Sequence, residues 1–347
     1  MTENYLGYTF GDLRIPCIVF QSDKYDFEDV IIDYRFDPKS MKWDEDKKEW
    51  MYKPEFGLPE DISVNLKALV KKRKDEADEK GRVFFDGQLV KLAGYSMLVR
   101  KEDTLSEDEK PVLKITPSSW FAYQATNRSL DEKMLIGHDG KPTTIREKYG
   151  IDPLILDDVL ANVIGVSAVV ISEPDHAMYF VRRSGTNDQY PYLYGVGVAG
   201  FMNRLRDSVA GVPNPSKTIQ NEAEQEAGIK CSLNDFTLSS IARARDDLHG
   251  ELFGMIRTPM TIQEILSAPK TRKYEALEPI TVPFEPKPVL KYVTKTIEKI
   301  PDRIPAGRDA WIIGRSPEWV PAHVVATIQA LEDEYGHEKI MREMENL

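Results

Sequence analysis

In the stretch Asn221-Glu-Ala-Glu-Gln-Glu-Ala-Gly-Ile229, two glutamates, Glu222 and Glu226, stand four residues apart. Helical geometry puts such a pair one turn apart on a single face. The neighbouring residues support a helix over 217–227: Ser216 can cap its start, Ile219, Ala223 and Ala227 make one apolar stripe, and Gly228 can end it. Two carboxylates stacked in this way repel each other unless a cation lies between or beside them. Hard divalent cations prefer oxygen ligands, and magnesium often shares its sites with substrate phosphates. An ion so placed can neutralise a diphosphate and activate a water. A Glu-x-x-x-Glu pair alone is common on exposed helices, so the surrounding elements have to carry the reading.

Upstream of the helix, 163–171 and 177–183 read as strands of a hairpin, and 192–199 as a third strand running into Gly200. A long loop with Gly211, Pro213 and Pro215 leads to the helix. Downstream, 236–244 and 251–257 read as two strands joined by Asp246-Asp-Leu-His-Gly250, Thr261 caps a helix over 261–267, and 279–282 is strand-like. Residues 290–299 and, with stronger periodicity, 320–335 read as helices.

In this order of elements, 221–229 resembles the core of the Nudix box, whose usual form is Arg-Glu-apolar-x-Glu-Glu-x-Gly-apolar. The likeness covers roughly residues 163–285 and the helix at 319–336. Shorter similarities to the nucleotide-sugar (UDP-glucose hydrolase) type run through Phe85-Asp-Gly-Gln-Leu-Val-Lys-Leu92, Leu113-Lys-Ile-Thr116, Ala125-Thr-Asn127, Asp152-Pro153 and Phe180-Val-Arg-Arg-Ser184. The resemblance implies an α/β fold. A Nudix-type α/β/α sandwich with a mixed sheet and a C-terminal helical extension would fill 151–347, after a β-rich N-terminal domain over 1–150. It also implies a hydrolase that uses Mg²⁺ (or Mn²⁺) on a nucleoside diphosphate linked to another moiety, a nucleotide sugar among the candidates. Glu222 and Glu226 would be metal ligands, and Glu275, or Glu278 in its place, would bind metal or act as base. Glu251 opens a strand that usually borders the site. Arg182, Arg183 and Gly200 would face the substrate.

The box also departs from its usual form. Asn221 stands where the arginine is usual, and Gln225 replaces one glutamate. Asparagine lacks the charge and planar fork of arginine, and glutamine cannot serve as a carboxylate. The upstream glutamate would fall at Pro213, or at Arg206 when counted from Gly200, and neither is acidic. These departures keep a second reading open: a catalytically inactive Nudix-fold module that binds a nucleotide or scaffolds a partner.

Composition narrows the partners. The chain has 347 residues, 41% of them hydrophobic, which is enough for a sizeable core. A net charge of −11 disfavours sequence-independent nucleic-acid binding, which relies on basic residues. A small-molecule ligand whose charge a metal offsets is not disfavoured. Two distant cysteines, Cys17 and Cys231, speak against a disulfide framework or zinc site and for reduced thiols in a cytoplasmic protein. The N-terminus has no signal-peptide pattern, and the longest apolar run, 163–171, falls short of the ~20 residues a membrane span needs. Oligomeric state is left open, a homodimer included. None of the five histidines has metal-pair spacing, and His249 reads as an exposed turn residue. In the N-terminal half, 62–79 reads as a helix and Asp86-Gly87 as a hairpin turn between 82–85 and 88–92. Trp311 and Trp319 read as core, and 286–318 as an insertion.

Overall fold

All nine residues of the strand Ile164–Ser172 are buried, and strand alternation divides them between two cores. Val169 and Ile171 face one, and Ile164, Val166, Ala168 and Val170 face the other. A strand buried on both faces needs a layer of structure on each side. A computed structural model shows those layers. It describes residues 7–10, 13–21, 25–26, 30–79, 81, 84–100, 108–185, 187, 189–272, 275–294 and 319–347. Residues 295–318, which hold Trp311, most of the expected insertion and the end of the helix expected over 290–299, lie outside them.

The elements used below are, in chain order, β1 (Cys17–Gln21), β2 (Ile31–Tyr34), α1 (Leu66–Glu79), β3 (Gln88–Arg100), β4 (Asp108–Ser119), α2 (Trp120–Ala125), β5 (Ile164–Ser172) and β6 (Ala177–Arg183). They continue with β7 (Tyr194–Val196), β8 (Val198–Phe201), α3 (Pro215–Glu222), β9 (Phe236–Ala244), β10 (Gly250–Thr258), β11 (Ala276–Pro283), α4 (Pro286–Thr294) and α5 (Pro321–Tyr335). The main sheet runs β7-β6-β5-β10-β9-β1, with β8 also on β5 and β11 also on β6. β5 and β10 are parallel from Ile164↔Gly250 to Ser172↔Thr258. The flanking pairings are antiparallel, so the sheet is mixed.

One face of the sheet is covered by α5 and α4, with Trp319, Val325, Ile328 and Leu290 fully buried against it. The other is covered by Ile219 of α3, by Ala223 and Ala227 of the turn that continues it, and by Val90, Leu92, Leu113 and Ile115 of the β2-β4-β3 sheet. Each such aliphatic side chain contributes about 1.5–3 kcal/mol by leaving water. The fold is therefore an α/β/α arrangement around a mixed sheet, with the β-rich N-terminal segment against one face. The first 150 residues also reach the main sheet directly. β1 pairs with β9, and the Leu92 N–H donates to the Asn162 carbonyl at 2.9 Å. No described helix is long and apolar enough to cross a membrane.

Three local expectations are corrected. The strand expected over 192–199 breaks at Gly197 into β7 and β8, which pair with β6 and β5 respectively. A Cβ at Gly197 would stand 2.5 Å from the Tyr179 ring, so only glycine lets the chain cross there. Asp86-Gly87 makes no hairpin: the Asp86 carboxylate accepts the Phe121 N–H at 2.9 Å and Gly87 O accepts that of Trp120 at 2.8 Å, tying the start of α2. β3 pairs with β4 instead. The helix at 217–227 starts earlier, with Asn214 rather than Ser216 as cap and Pro215 in its first turn. Its last turn, Ala223–Ala227, is π-wound and closed by Gly228 at φ 70°.

Candidate functional site

A cavity of about 330 Å³ opens where β5 and β10 begin and β6 ends. Gly165 and Gly200 make room for it. A Cβ at Gly200 would lie 2.7 Å from the Glu222 carboxyl carbon, and one at Gly165 would lie 2.7 Å from Glu251 Oε2. Charged groups from β6, β10, α3 and two loops line one part of the wall. Phe85, Leu89, Trp120 and Phe201 line another, three of them from the N-terminal half.

Glu222, only 1% exposed, is held at both oxygens. Arg206 donates to Oε1 at 2.6 Å and Arg272 to Oε2 at 2.8 Å. Burial pushes its carboxyl above the usual range, against the pull of Arg206 and Arg272. Glu226 accepts the Ala199 N–H at 3.1 Å and has the Glu275 carboxyl beside it. Burial, followed by the charges of Glu222 and Glu275, pushes Glu226 well above an ordinary carboxyl. Arg272 also stands 3.7 Å from Glu275.

The position where the box lacks its arginine has a local substitute. Asn221 donates to Asp207 at 2.8 Å, and Asp207, fully buried, also accepts from the Asn203 N–H at 2.8 Å and from Arg206 at 2.6 and 2.9 Å. A carboxylate therefore does face residue 221, one position beyond the Arg206 reached by counting from Gly200. The guanidinium charge missing at 221 comes from Arg206 and Arg272. Both lie in loops whose sequence gives no pattern to find them by.

Glu222, Glu275, Arg183 and Gly200 line the cavity, Glu226 stands beside Glu275 without lining it, and Arg182 and Glu278 lie outside it. Arg183 lines the cavity and Arg182 does not, and the pairing of β6 with β11 shifts register between them. Arg182 donates to the Tyr192 carbonyl at 3.2 Å and lies over the Tyr194 ring. Glu278 is exposed on β11, in register with Arg182.

His249, expected in an exposed turn, is 1% exposed. Phe201 and Tyr123 pack across its ring, with centroids at 5.5 and 6.2 Å. Its Nδ1 lies 2.5 Å from Asp247 Oδ1 and its Nε2 lies 2.6 Å from Glu251 Oε1. Facing a carboxylate at each nitrogen, the ring is an imidazolium. Burial alone would lower its pKa, but Asp247 and Glu251 hold it well above the usual value. Asp247 also accepts from the Tyr123 hydroxyl and, at 3.1 Å, from Gln189. His323 is the opposite case. Its Nδ1 accepts the Val196 N–H at 3.2 Å, which leaves the proton on Nε2 to donate to Ser167 Oγ at 3.2 Å. Burial, with Arg183 and His249 adding to it, lowers its pKa to about 3.

Among the described residues, no three His, Cys, Asp or Glu side chains stand in metal-ligating geometry. The Glu226–Glu275 pair does offer hard oxygen donors to a single divalent cation, whose remaining ligands would be phosphate and water. No family model matches the chain, and no curated protein matches it. Solved structures do. A Deinococcus radiodurans protein, DR0079, is 13% identical with a TM-score of 0.29 over 38% of this chain and 73% of that one. A MutT protein from Methanosarcina mazei Go1 is 12% identical, with a TM-score of 0.29 over 50% and 94%. A MutT/nudix family protein from Enterococcus faecalis is 13% identical, with a TM-score of 0.26 over 53% and 80%. In these comparisons the chain resembles MutT and Nudix proteins.

Proposed function

We propose that the cavity takes a compound built on a nucleoside diphosphate, and that the chain hydrolyses the diphosphate with Mg²⁺ or Mn²⁺. The observation that carries this reading is the carboxyl pair Glu226–Glu275 set beside Arg183, Arg206 and Arg272 at an aromatic-lined cavity. Glu226 and Glu275 would hold the ion. Once bound, it supplies charge neutralisation at the diphosphate and a lowered pKa for a water. The guanidinium groups supply planar donors suited to phosphate oxygens. Phe85, Trp120 and Phe201 supply apolar surface for a base. Glu275, the member of the pair that lines the cavity, would take the proton of the attacking water. Glu222, tied to both arginines, positions them. A nucleotide sugar fits the same charge and shape requirements.

A second reading, binding without turnover, draws support from one observation: both oxygens of Glu222 are already taken by arginines, which leaves fewer carboxylates for a metal. The two readings separate in one assay. Wild type and Glu226→Gln are incubated with UDP-sugars, ADP-ribose, NAD and dinucleoside polyphosphates, with Mg²⁺ or Mn²⁺, and release of phosphate and nucleoside monophosphate is followed. Metal-dependent product that disappears in the variant supports hydrolysis. Tight binding without product from any compound supports the binding module and ends the hydrolase reading.

A further inference from the structure

Glu251 is 6% exposed, and its two oxygens have different fates. Oε1 meets His249 Nε2 at 2.6 Å. Oε2 is buried and has no hydrogen-bond partner among the described residues, although the residue lines the cavity. An unsatisfied buried carboxylate oxygen is costly, and folded proteins seldom keep one without a use. The surroundings hold this one in place. Asp247, itself fixed by Tyr123 and Gln189, anchors the imidazolium of His249, and the imidazolium anchors Oε1. Gly165 leaves the space into which the carboxylate reaches, since any Cβ there would collide with Oε2 at 2.7 Å. The oxygen is thus an immobilised acceptor beside the binding space.

The chemistry of its donor follows from the neighbouring charges. The imidazolium already occupies one side of Glu251, and the Arg183 guanidinium feels its charge from another. A cationic ligand group would meet both of these positive groups, whereas a neutral O–H donor would not. His249 also packs under Phe201, one of the aromatic residues of the cavity wall. A base lying against that wall brings its attached sugar down towards the His249–Glu251 end. We propose that Glu251 is a specificity-determining residue that accepts a hydrogen bond from a ribose hydroxyl of the bound nucleotide. This rests on the reading of the cavity as a nucleotide site.

The test is calorimetric titration of the full chain with the α,β-methylene analogues of ADP and UDP, which resist cleavage, each as ribo, 2′-deoxy and 3′-deoxy forms. In wild type, removal of one hydroxyl is expected to weaken binding about tenfold or more, because it strands a buried acceptor, and the form affected identifies the hydroxyl. In Glu251→Gln the amide oxygen should turn to the imidazolium and the NH₂ towards the cavity, exchanging an acceptor for a donor. Discrimination between ribo and deoxy forms should then fall to within about twofold, while a purely structural role would weaken all forms alike. Equal binding of all three forms by wild type overturns the proposal and leaves the nucleotide reading standing. No binding of any form overturns both. Should Glu251→Gln fail to fold, equal binding of the three forms by wild type still overturns the proposal.

Discussion

Glu222 and Glu251 border one cavity and are almost equally buried, yet their carboxylates are treated differently. Glu222 has a guanidinium on each oxygen, while Glu251 has an imidazolium on one oxygen and, among the described residues, no hydrogen-bond partner on the other. A carboxylate satisfied at both ends is a fixture that holds its partners in place. One satisfied at one end keeps an acceptor in reserve for a ligand. Between these extremes lies Glu226, whose carboxyl is pushed well above the usual range by burial and by the charges of Glu222 and Glu275. Three glutamates in one site thus meet the cost of burial in three ways, and only two of those ways leave something to exchange.

The largest effect should come from breaking the fully satisfied member. Glu222→Ala leaves Arg206 and Arg272 facing each other across a gap. Loss of one partner of a buried pair costs about 3–5 kcal/mol. Because these arginines keep 31% and 28% of their side chains exposed, the low end, about 3 kcal/mol, is expected in urea denaturation. A change under about 0.5 kcal/mol would mean that the double ion pair is decoration. Next comes Gly200→Ala, whose methyl would press on the Glu222 carboxyl. Overpacking of this kind costs about 1–3 kcal/mol, and the same denaturation assay reads it. A variant as stable as wild type would show that Glu222 has room to retreat.

The two buried histidines sharpen the comparison through pH. His323 is neutral when folded, with a pKa of about 3, and it titrates near 6.5 when unfolded. Its folded pKa is depressed, so its contribution is present above about 6.5 and is lost as pH falls from there towards 3, by at most about 1.4 kcal/mol per pH unit. His249 has the opposite sign: its folded pKa is raised, and its contribution is complete below the unfolded value and lost as pH rises through the folded one. Urea midpoints followed from pH 7 to pH 4 should fall less steeply in His323→Gln than in wild type. Parallel curves would mean that His323 accepts a proton where it stands. The smallest effect belongs outside the cavity. Glu278→Gln should alter stability by less than about 0.5 kcal/mol and leave any metal-dependent turnover unchanged. Loss of turnover there would move the site towards β11.

What the sequence showed and what it hid follow one division. β5, β6, β9, β10 and α5 announce themselves as apolar runs, and the helix that carries Glu222 and Glu226 through the apolar stripe of Ile219, Ala223 and Ala227. Arg206, Asp207 and Arg272 sit in loops with no periodicity, and they converge on Glu222 only after folding. Counting from Gly200 reached Arg206 and stopped one residue short of the carboxylate. His249 escapes a local reading for a related reason: Asp246-Asp-Leu-His-Gly250 has the composition of an exposed turn, and the rings packed over it, Tyr123 and Phe201, are distant in sequence. Gly197 was read as part of a strand because nothing local reveals the Tyr179 ring beneath it.

The carboxyl pair is tested most directly by titrating the full chain with Mn²⁺, with and without the α,β-methylene analogue of ADP, and following the free ion by electron paramagnetic resonance. Wild type should take up one ion, more tightly with the nucleotide present, and Glu226→Gln should lose that uptake. A wild type that leaves Mn²⁺ free even with nucleotide bound, or a Glu226→Gln variant that binds it as well as wild type, would contradict the assignment of Glu226 and Glu275 as the cation site.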